Sequence, residues 1–178
     1  MRTSMVYALL AVVVGGVGCS GTNSGVQTAY NATLNGNFTV PPDTSTGAAS
    51  LVVTVSGLSI TGNLTISANA SSAYSVGHIH AGSAGSNGGV LLNLCGTAAI
   101  LAAGNNPGQA ATPACAVGTI PVSFSVPSST SLMPGSTSVT WAAFVTSIEN
   151  GGNYAQVHSA THPGGEIRGQ IQRTLQTY

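Results

Sequence analysis

Apolar residues along most of this chain alternate with polar ones, which is the two-residue period of β-strands that bury one face. Seven such segments are each bounded by Gly, Pro, Asn or Ser: SLVVTVSGL, GNLTISANA, GVLLNL, IPVSFSV, SVTWAAFV, YAQVHS and EIRGQIQ. After the first 18 residues we identify no segment with the 3.6-residue period of a helix. The pattern predicts an all-β fold, a single antiparallel β-sandwich or barrel of about seven to nine strands.

The N-terminus has the features of an export signal. Arg2 precedes the apolar run MVYALLAVVV, and the small-residue run GGVGCS follows. This run resembles a bacterial lipobox, in which Cys19 is acylated and becomes the new N-terminus, although Gly16 stands where leucine is usual. The alternative is an ordinary signal peptide with an incidental cysteine. We expect an exported protein that is lipid-anchored to a membrane through Cys19, at the cell surface or in the periplasm.

The expected organisation has three parts. They are a lipoprotein-type signal peptide at 1–18, a flexible polar tether at 19–29 and one β domain at 30–178. After the signal, no apolar run approaches the roughly 18 to 20 residues that cross a bilayer. The chain has no lysine and no net charge, which excludes nucleic acid as a partner because phosphate binding needs clustered Lys or Arg.

The cysteine count fits an oxidising compartment. Once Cys19 is assigned to lipid, Cys95 and Cys115 remain as a pair. A disulfide between them would close the Gly- and Asn-rich segment GTAAILAAGNNPGQAATPA. The alternative, a thiolate metal ligand or redox pair, lacks the short C-x-x-C spacing.

Charged and ionisable side chains are scarce and clustered. The chain has three Arg, three acids and four His, and six of these ten residues fall in the windows 78–80 and 158–168. His78 and His80 are two positions apart, so on a strand they point to the same face. The same period places Glu166 and Arg168 on one face of the last predicted strand, where they could pair with each other or contact one loop together.

Three long stretches resemble the CHRD (chordin) domain. GHIHAGSAGSNGGVLLNL and NYAQVHSATHPGGEIRGQI match its two histidine-containing motifs, and YNATLNGNFTVPPDTSTGAASL is similar to its start, so the resemblance spans residues 30–173. The chain departs from the pattern at Thr39, where an acidic residue is common, and at His162, where a polar non-histidine is usual. The resemblance implies an immunoglobulin-like β-barrel typical of extracellular proteins, and it transfers no function by itself.

Three functions are compatible with these residues. The first is a non-enzymatic surface binding or structural module for an unidentified extracellular protein or ligand, in which Glu166 and Arg168 hold the Gly-rich loop 82–89. The second is a copper or zinc module, since imidazoles suit both metals. The ligand set would be His78, His80 and His158, either alone or joined by His162. The third is a superoxide-dismutase-like metalloenzyme, which lacks support because the His- and Asp-rich zinc loop of that family is absent.

Overall fold

The computed structural model describes residues 27–67, 72–96 and 112–174. Nine strands lie in these ranges. They are β1 (Gln27–Asn35), β2 (Ala48–Ser56), β3 (Ser59–Ile66), β4 (Tyr74–Ala81), β5 (Val90–Gly96), β6 (Gly118–Ser125), β7 (Asn153–Ser159), β8 (Ile167–Gln170) and β9 (Gln172–Arg173). The all-β, antiparallel fold expected from the alternation is confirmed.

The strands form one sheet that is nearly closed into a barrel. Their order is β5-β4-β7-β8-β1-β2-β3-β6, with β9 also pairing with β1. The long strands β1, β2, β3 and β6 are in uninterrupted register, and their inward rows of Leu, Val and Ile fill the barrel interior. Their outward rows carry mainly Ser, Thr and Asn, which explains why so few charges are needed on this surface.

One predicted strand is wrong. The segment SVTWAAFV lies mostly in a helix, α1 (Trp141–Glu149), which begins after Thr140, whose hydroxyl accepts a hydrogen bond from the amide of Ala143. Trp141, Phe144 and Ile148 share one face of the helix and are buried in the core. The helical period becomes visible only when the segment is extended to Ile148, which the strand interpretation did not include.

The start of the domain also differs from the expectation. β1 begins at Gln27, inside the segment 19–29 expected to be a tether, and it is not among the seven segments identified from alternation. The expected signal peptide and Cys19 lie outside the described residues. In the described ranges, no helix is both long and apolar enough to cross a membrane.

A disulfide joins Cys95 at the end of β5 to Cys115, three residues before β6 begins. These are the two edge strands of the sheet, so the bond lies between its open edges. The backbone supports the same connection, since the amide of Gly96 donates to the carbonyl of Pro113 at 2.8 Å. The disulfide therefore ties together the part of the barrel that strand pairing leaves open.

Removing this bond should destabilise the barrel without unfolding it. A Cys95→Ser/Cys115→Ser variant should lose about 2–4 kcal/mol of unfolding free energy in urea, because the denatured chain regains the freedom of a 20-residue loop. Reductant should lower the stability of the parent protein to that of the variant and leave the variant unchanged. Both thiols reacting with iodoacetamide in the native, oxidised protein would contradict the bond.

Candidate metal centre and its supporting loops

Strands β4, β7 and β8 have a polar outer face as well as an apolar inner one. Ile79, Ala155, Val157 and Ile167 point into the barrel core. The alternate residues point outward, and two loops, 82–89 and 160–166, cover them. These outward residues are His78, His80, Tyr154, Gln156, His158 and Arg168. Because both faces are covered, every residue of β7 is buried, including its polar ones.

Three of the four histidines converge on this outer face. One ring nitrogen from each of His78, His80 and His158 lies within 4.8 Å of the other two. Nδ1 of His78 lies 3.3 Å from Nε2 of His158. For metal–nitrogen bonds of about 2.0–2.1 Å, two ligands of a tetrahedral site are roughly 3.3–3.4 Å apart. The spacing of this pair suits a shared ion and equally an N–H···N hydrogen bond between the two rings.

Backbone carbonyls orient two of the rings. Nδ1 of His80 lies 3.0 Å from the carbonyl of Gly88, and Nδ1 of His158 lies 3.0 Å from the carbonyl of Pro163. A carbonyl only accepts, so in each ring Nδ1 carries the proton and Nε2 presents a lone pair. Nε2 of His80 is buried and has no hydrogen-bond partner among the described residues. Metal-ligating histidines typically donate their other ring N–H to a carbonyl in this way.

Burial keeps the three imidazoles neutral. Desolvation, with smaller repulsion from His158 and His80, lowers the pKa of His78 to about 3. Desolvation lowers the pKa of His80 to about 4, although the hydrogen bond to Gly88 opposes the shift, and it lowers the pKa of His158 as well. Neutral imidazole is the form that binds metal, so the ligands need not lose protons at neutral pH.

Tyr154 joins the triad to the neighbouring strand. Its ring is stacked on His80 with a centroid separation of 4.8 Å and an interplanar angle of 6°. The guanidinium carbon of Arg168 lies 3.5 Å from the centroid of the same ring. Strand β7 lies between β4 and β8 in the sheet. The Tyr154 ring therefore contacts His80 of β4 and Arg168 of β8.

Arg168 holds the Gly-rich loop 82–89, as its placement on the last strand suggested. Its guanidinium donates to Oδ1 of Asn87 and to the carbonyls of Ser83 and Ser86, at 3.1, 3.1 and 2.8 Å. Asn87 in turn donates to the carbonyl of Val40 at 2.8 Å. The loop thereby keeps the Gly88 carbonyl over His80. Gly88 cannot be replaced at low cost, since a Cβ there would overlap the Ala81 carbonyl.

Glu166 contacts a different segment of the chain. It precedes β8, and its carboxylate accepts a hydrogen bond from the hydroxyl of Ser45 at 2.6 Å, in the segment that follows β1. Glu166 and Arg168 therefore hold two different loops. The neighbour of Glu166 is His162, whose Nδ1 lies 3.7 Å from Oε2 of Glu166.

His162 does not join the triad, contrary to the four-histidine expectation. Its Nε2 lies 3.1 Å from Oδ2 of Asp43, and its Nδ1 lies 3.0 Å from the hydroxyl of Thr161. The cause is the turn after β7, which brings the Pro163 carbonyl back onto His158 and directs the preceding residue toward Asp43. His162 belongs to a loop contact and not to the metal centre.

The sequence interpretation missed Tyr154, Gln156 and Gln170 as members of this polar face. Gln156 donates to the carbonyl of Gly164 at 3.1 Å, and Gln170 donates to the carbonyls of Gly82, Gly151 and Asn153. A signal was present, because Tyr154 and Gln156 precede His158 at two-residue spacing and so share its face. The loop carbonyls carry no sequence signal at all.

The metal-free protein should lose stability in mild acid. Below the ordinary histidine pKa of about 6.5, these imidazoles bind protons in the unfolded chain but stay neutral in the folded protein, where their pKa values are lower. The free energy of unfolding should therefore fall as the pH drops from about 6.5 toward about 4. Urea unfolding in EDTA at about pH 7, 5.5 and 4.5 measures this. A His78→Gln variant should show a shallower fall. A parent stability that stays constant over that range would contradict the neutral triad.

The sequence matches the profile of the CHRD domain over residues 30–171, which includes all of the outer-face residues. Neither a curated protein nor a solved structure gives a match to this chain. The profile match covers most of the chain and agrees with the motifs around His78 and His158. The chain therefore belongs to the CHRD domain family.

Proposed function

We propose that this protein is an exported CHRD-domain binding module that holds one zinc or copper ion through His78, His80 and His158. The observation that carries the proposal is the convergence of three neutral ring nitrogens within 4.8 Å of one another. Nitrogen ligands of this kind suit both metals. His78 is only partly buried, so water or a ligand of a partner could reach an ion held by the three histidines from that side.

The competing function is a purely structural cluster, in which the imidazoles only hold loops by hydrogen bonds. The contacts of His80 and His158 with loop carbonyls serve both functions. The buried Nε2 of His80 favours a metal, because a buried polar atom without a partner costs about 1–3 kcal/mol. Bound metal would satisfy that atom.

We further propose binding rather than catalysis. Two of the three acids, Asp43 and Glu166, surround His162 and not the triad. Domains of this family are typically extracellular, and the disulfide indicates an oxidising compartment. The family's usual location and the disulfide both agree with our proposal of an exported protein. In that proposal the protein is anchored by lipid at Cys19 and binds an extracellular protein or ligand.

One metal ion should bind per chain. Protein stripped with EDTA and titrated calorimetrically with Zn²⁺ or Cu²⁺ should give a one-to-one complex, because the triad offers a single set of ligands. His80→Gln and His158→Gln should each weaken binding about 100-fold or more, since even second-shell losses cost 10–100-fold. Cobalt(II) should give a visible absorption spectrum of a nitrogen-ligated site in the parent and lose it in both variants.

His162→Gln is the matched control, since it removes an imidazole that lies outside the triad. Its metal affinity should remain within about twofold of the parent. Circular dichroism and urea unfolding establish that each variant is folded. Absence of binding by the folded parent, or equal binding by His80→Gln, would leave the structural function standing.

Lipid anchoring is tested in a bacterial host. The protein should fractionate with membranes and incorporate labelled palmitate, and Cys19→Ala should abolish both because the acylated thiol is gone. The Cys95→Ser/Cys115→Ser variant is the control, because it removes two cysteines and should keep the label. A parent protein without acyl mass and in the soluble fraction would refute the anchor.

A further inference from the structure

A second candidate site lies on the other side of Arg168 from the triad. It is a cavity of about 700 Å³ whose floor is formed by β1, β8 and β9. Its walls come from two segments joined by the hydrogen bond from Asn87 to Val40, namely 37–42 and the loop 82–89. This volume is within the range of small-ligand sites. We propose that this cavity binds an uncharged oligosaccharide.

Carboxamide side chains dominate the polar lining. Asn31, Asn37, Gln170 and Gln172 all contribute to it. Asn37 and Gln172 are exposed, and neither side chain makes a hydrogen bond within the described ranges. Each carboxamide offers donors and an acceptor side by side, which matches the adjacent hydroxyl groups of a sugar ring.

The amide of Gln170 is a fixed part of the cavity floor. Its Nε2 donates to three backbone carbonyls, which sets the orientation of the amide. Its Oε1 is buried and has no hydrogen-bond partner among the described residues. This oxygen has no accessible surface, so the accessible donors and acceptors of the cavity come from the exposed amides of Asn37 and Gln172.

An aromatic ring is exposed at the cavity. Phe38 is 53% exposed, in a chain that buries most of its other aromatic side chains. An exposed ring beside amide groups provides a flat apolar surface for the C–H face of a sugar, while the amides contact its hydroxyls. Val40 and Pro42 extend this apolar wall.

Among the described residues, the accessible lining carries no charge. It contains no carboxylate, and its one ionic residue, Arg168, is 1% exposed and donates to three acceptors in the loop 82–89. A charged ligand would lose hydration without gaining an exposed counter-charge. The cavity therefore favours a neutral ligand.

A saccharide fits this cavity better than a peptide. Extended peptides are commonly recognised by strand addition at a free sheet edge. The central floor strand β1 offers none, since it pairs with β2 on one side and with β8 and β9 on the other. Recognition must come from side chains in a concave site, which is how hydroxyl-rich ligands are held.

The test uses the folded, disulfide-bonded protein and saturation-transfer NMR followed by calorimetry. The probes are the tetrasaccharides of glucose in β-1,4 and α-1,4 linkage, of β-1,4 N-acetylglucosamine and of β-1,4 mannose. At least one should bind with a Kd of about 1 mM or tighter. Phe38→Ala, and separately Asn37→Ala/Gln172→Ala, should each weaken that binding about tenfold.

Two matched controls lie away from the cavity. Leu132→Ala removes an exposed hydrophobic side chain, and Asn63→Ala removes an exposed amide, and each should change the Kd by less than about twofold. Zinc binding by Phe38→Ala should equal that of the parent, so this site and the triad can fail separately. The proposal is overturned if no tetrasaccharide binds or if the cavity variants bind as the parent does. Binding of tetragalacturonate or a Gly-Ser tetrapeptide in place of the neutral sugars would overturn it equally.

Discussion

The polar outer face of β4, β7 and β8 depends on one interaction, the contact of Arg168 with Tyr154 and the loop 82–89. The guanidinium is almost fully buried, stacks on the Tyr154 ring and donates to three acceptors of the loop. A buried cation of this kind persists only where acceptors and an aromatic face replace its hydration. The loop so fixed supplies the carbonyl that orients His80 and one wall of the cavity.

The barrel architecture explains why the outer face of β4, β7 and β8 can carry polar residues. β4, β7 and β8 put Ile79, Val157 and Ile167 into a core that is already closed on the far side by β2, β3 and β6 and filled by α1. Their outer faces are then free to carry polar residues, provided that loops cover them and meet their hydrogen bonds. The loops 82–89 and 160–166 do so largely through backbone carbonyls.

The two proposed sites share one structural wall and differ in chemistry. The triad is a cluster of neutral imidazoles, two of them buried and one partly buried, and is suited to a cation. The cavity is an open, amide-lined space suited to a hydroxyl-rich ligand. Arg168 and Tyr154 stand between them, and both side chains are locked by contacts on two sides. The wall shared by the two proposed sites is therefore held in place, which would lower the entropy cost of binding at either one.

Local periodicity in the sequence determined much of the fold. Two-residue alternation identified most strands, placed His78 with His80 on one face and put Arg168 on the last strand, because side-chain direction on a strand depends only on position along it. The same reasoning failed for Trp141–Glu149, where β-branched and aromatic residues suggested a strand although the apolar positions have helical spacing. The pairing of Cys95 with Cys115 followed from the cysteine count once Cys19 was assigned to lipid.

Only the tertiary structure decided which residues meet. The pairing of β4 with β7 brings His158 to the first two histidines, and the turn at 160–166 sends His162 to Asp43 instead. The amides of Asn37 and Gln172 reach one cavity from segments more than 130 residues apart. Strand partners, loop paths and carbonyl directions depend on contacts distant in the chain, and no local pattern of residues encodes them.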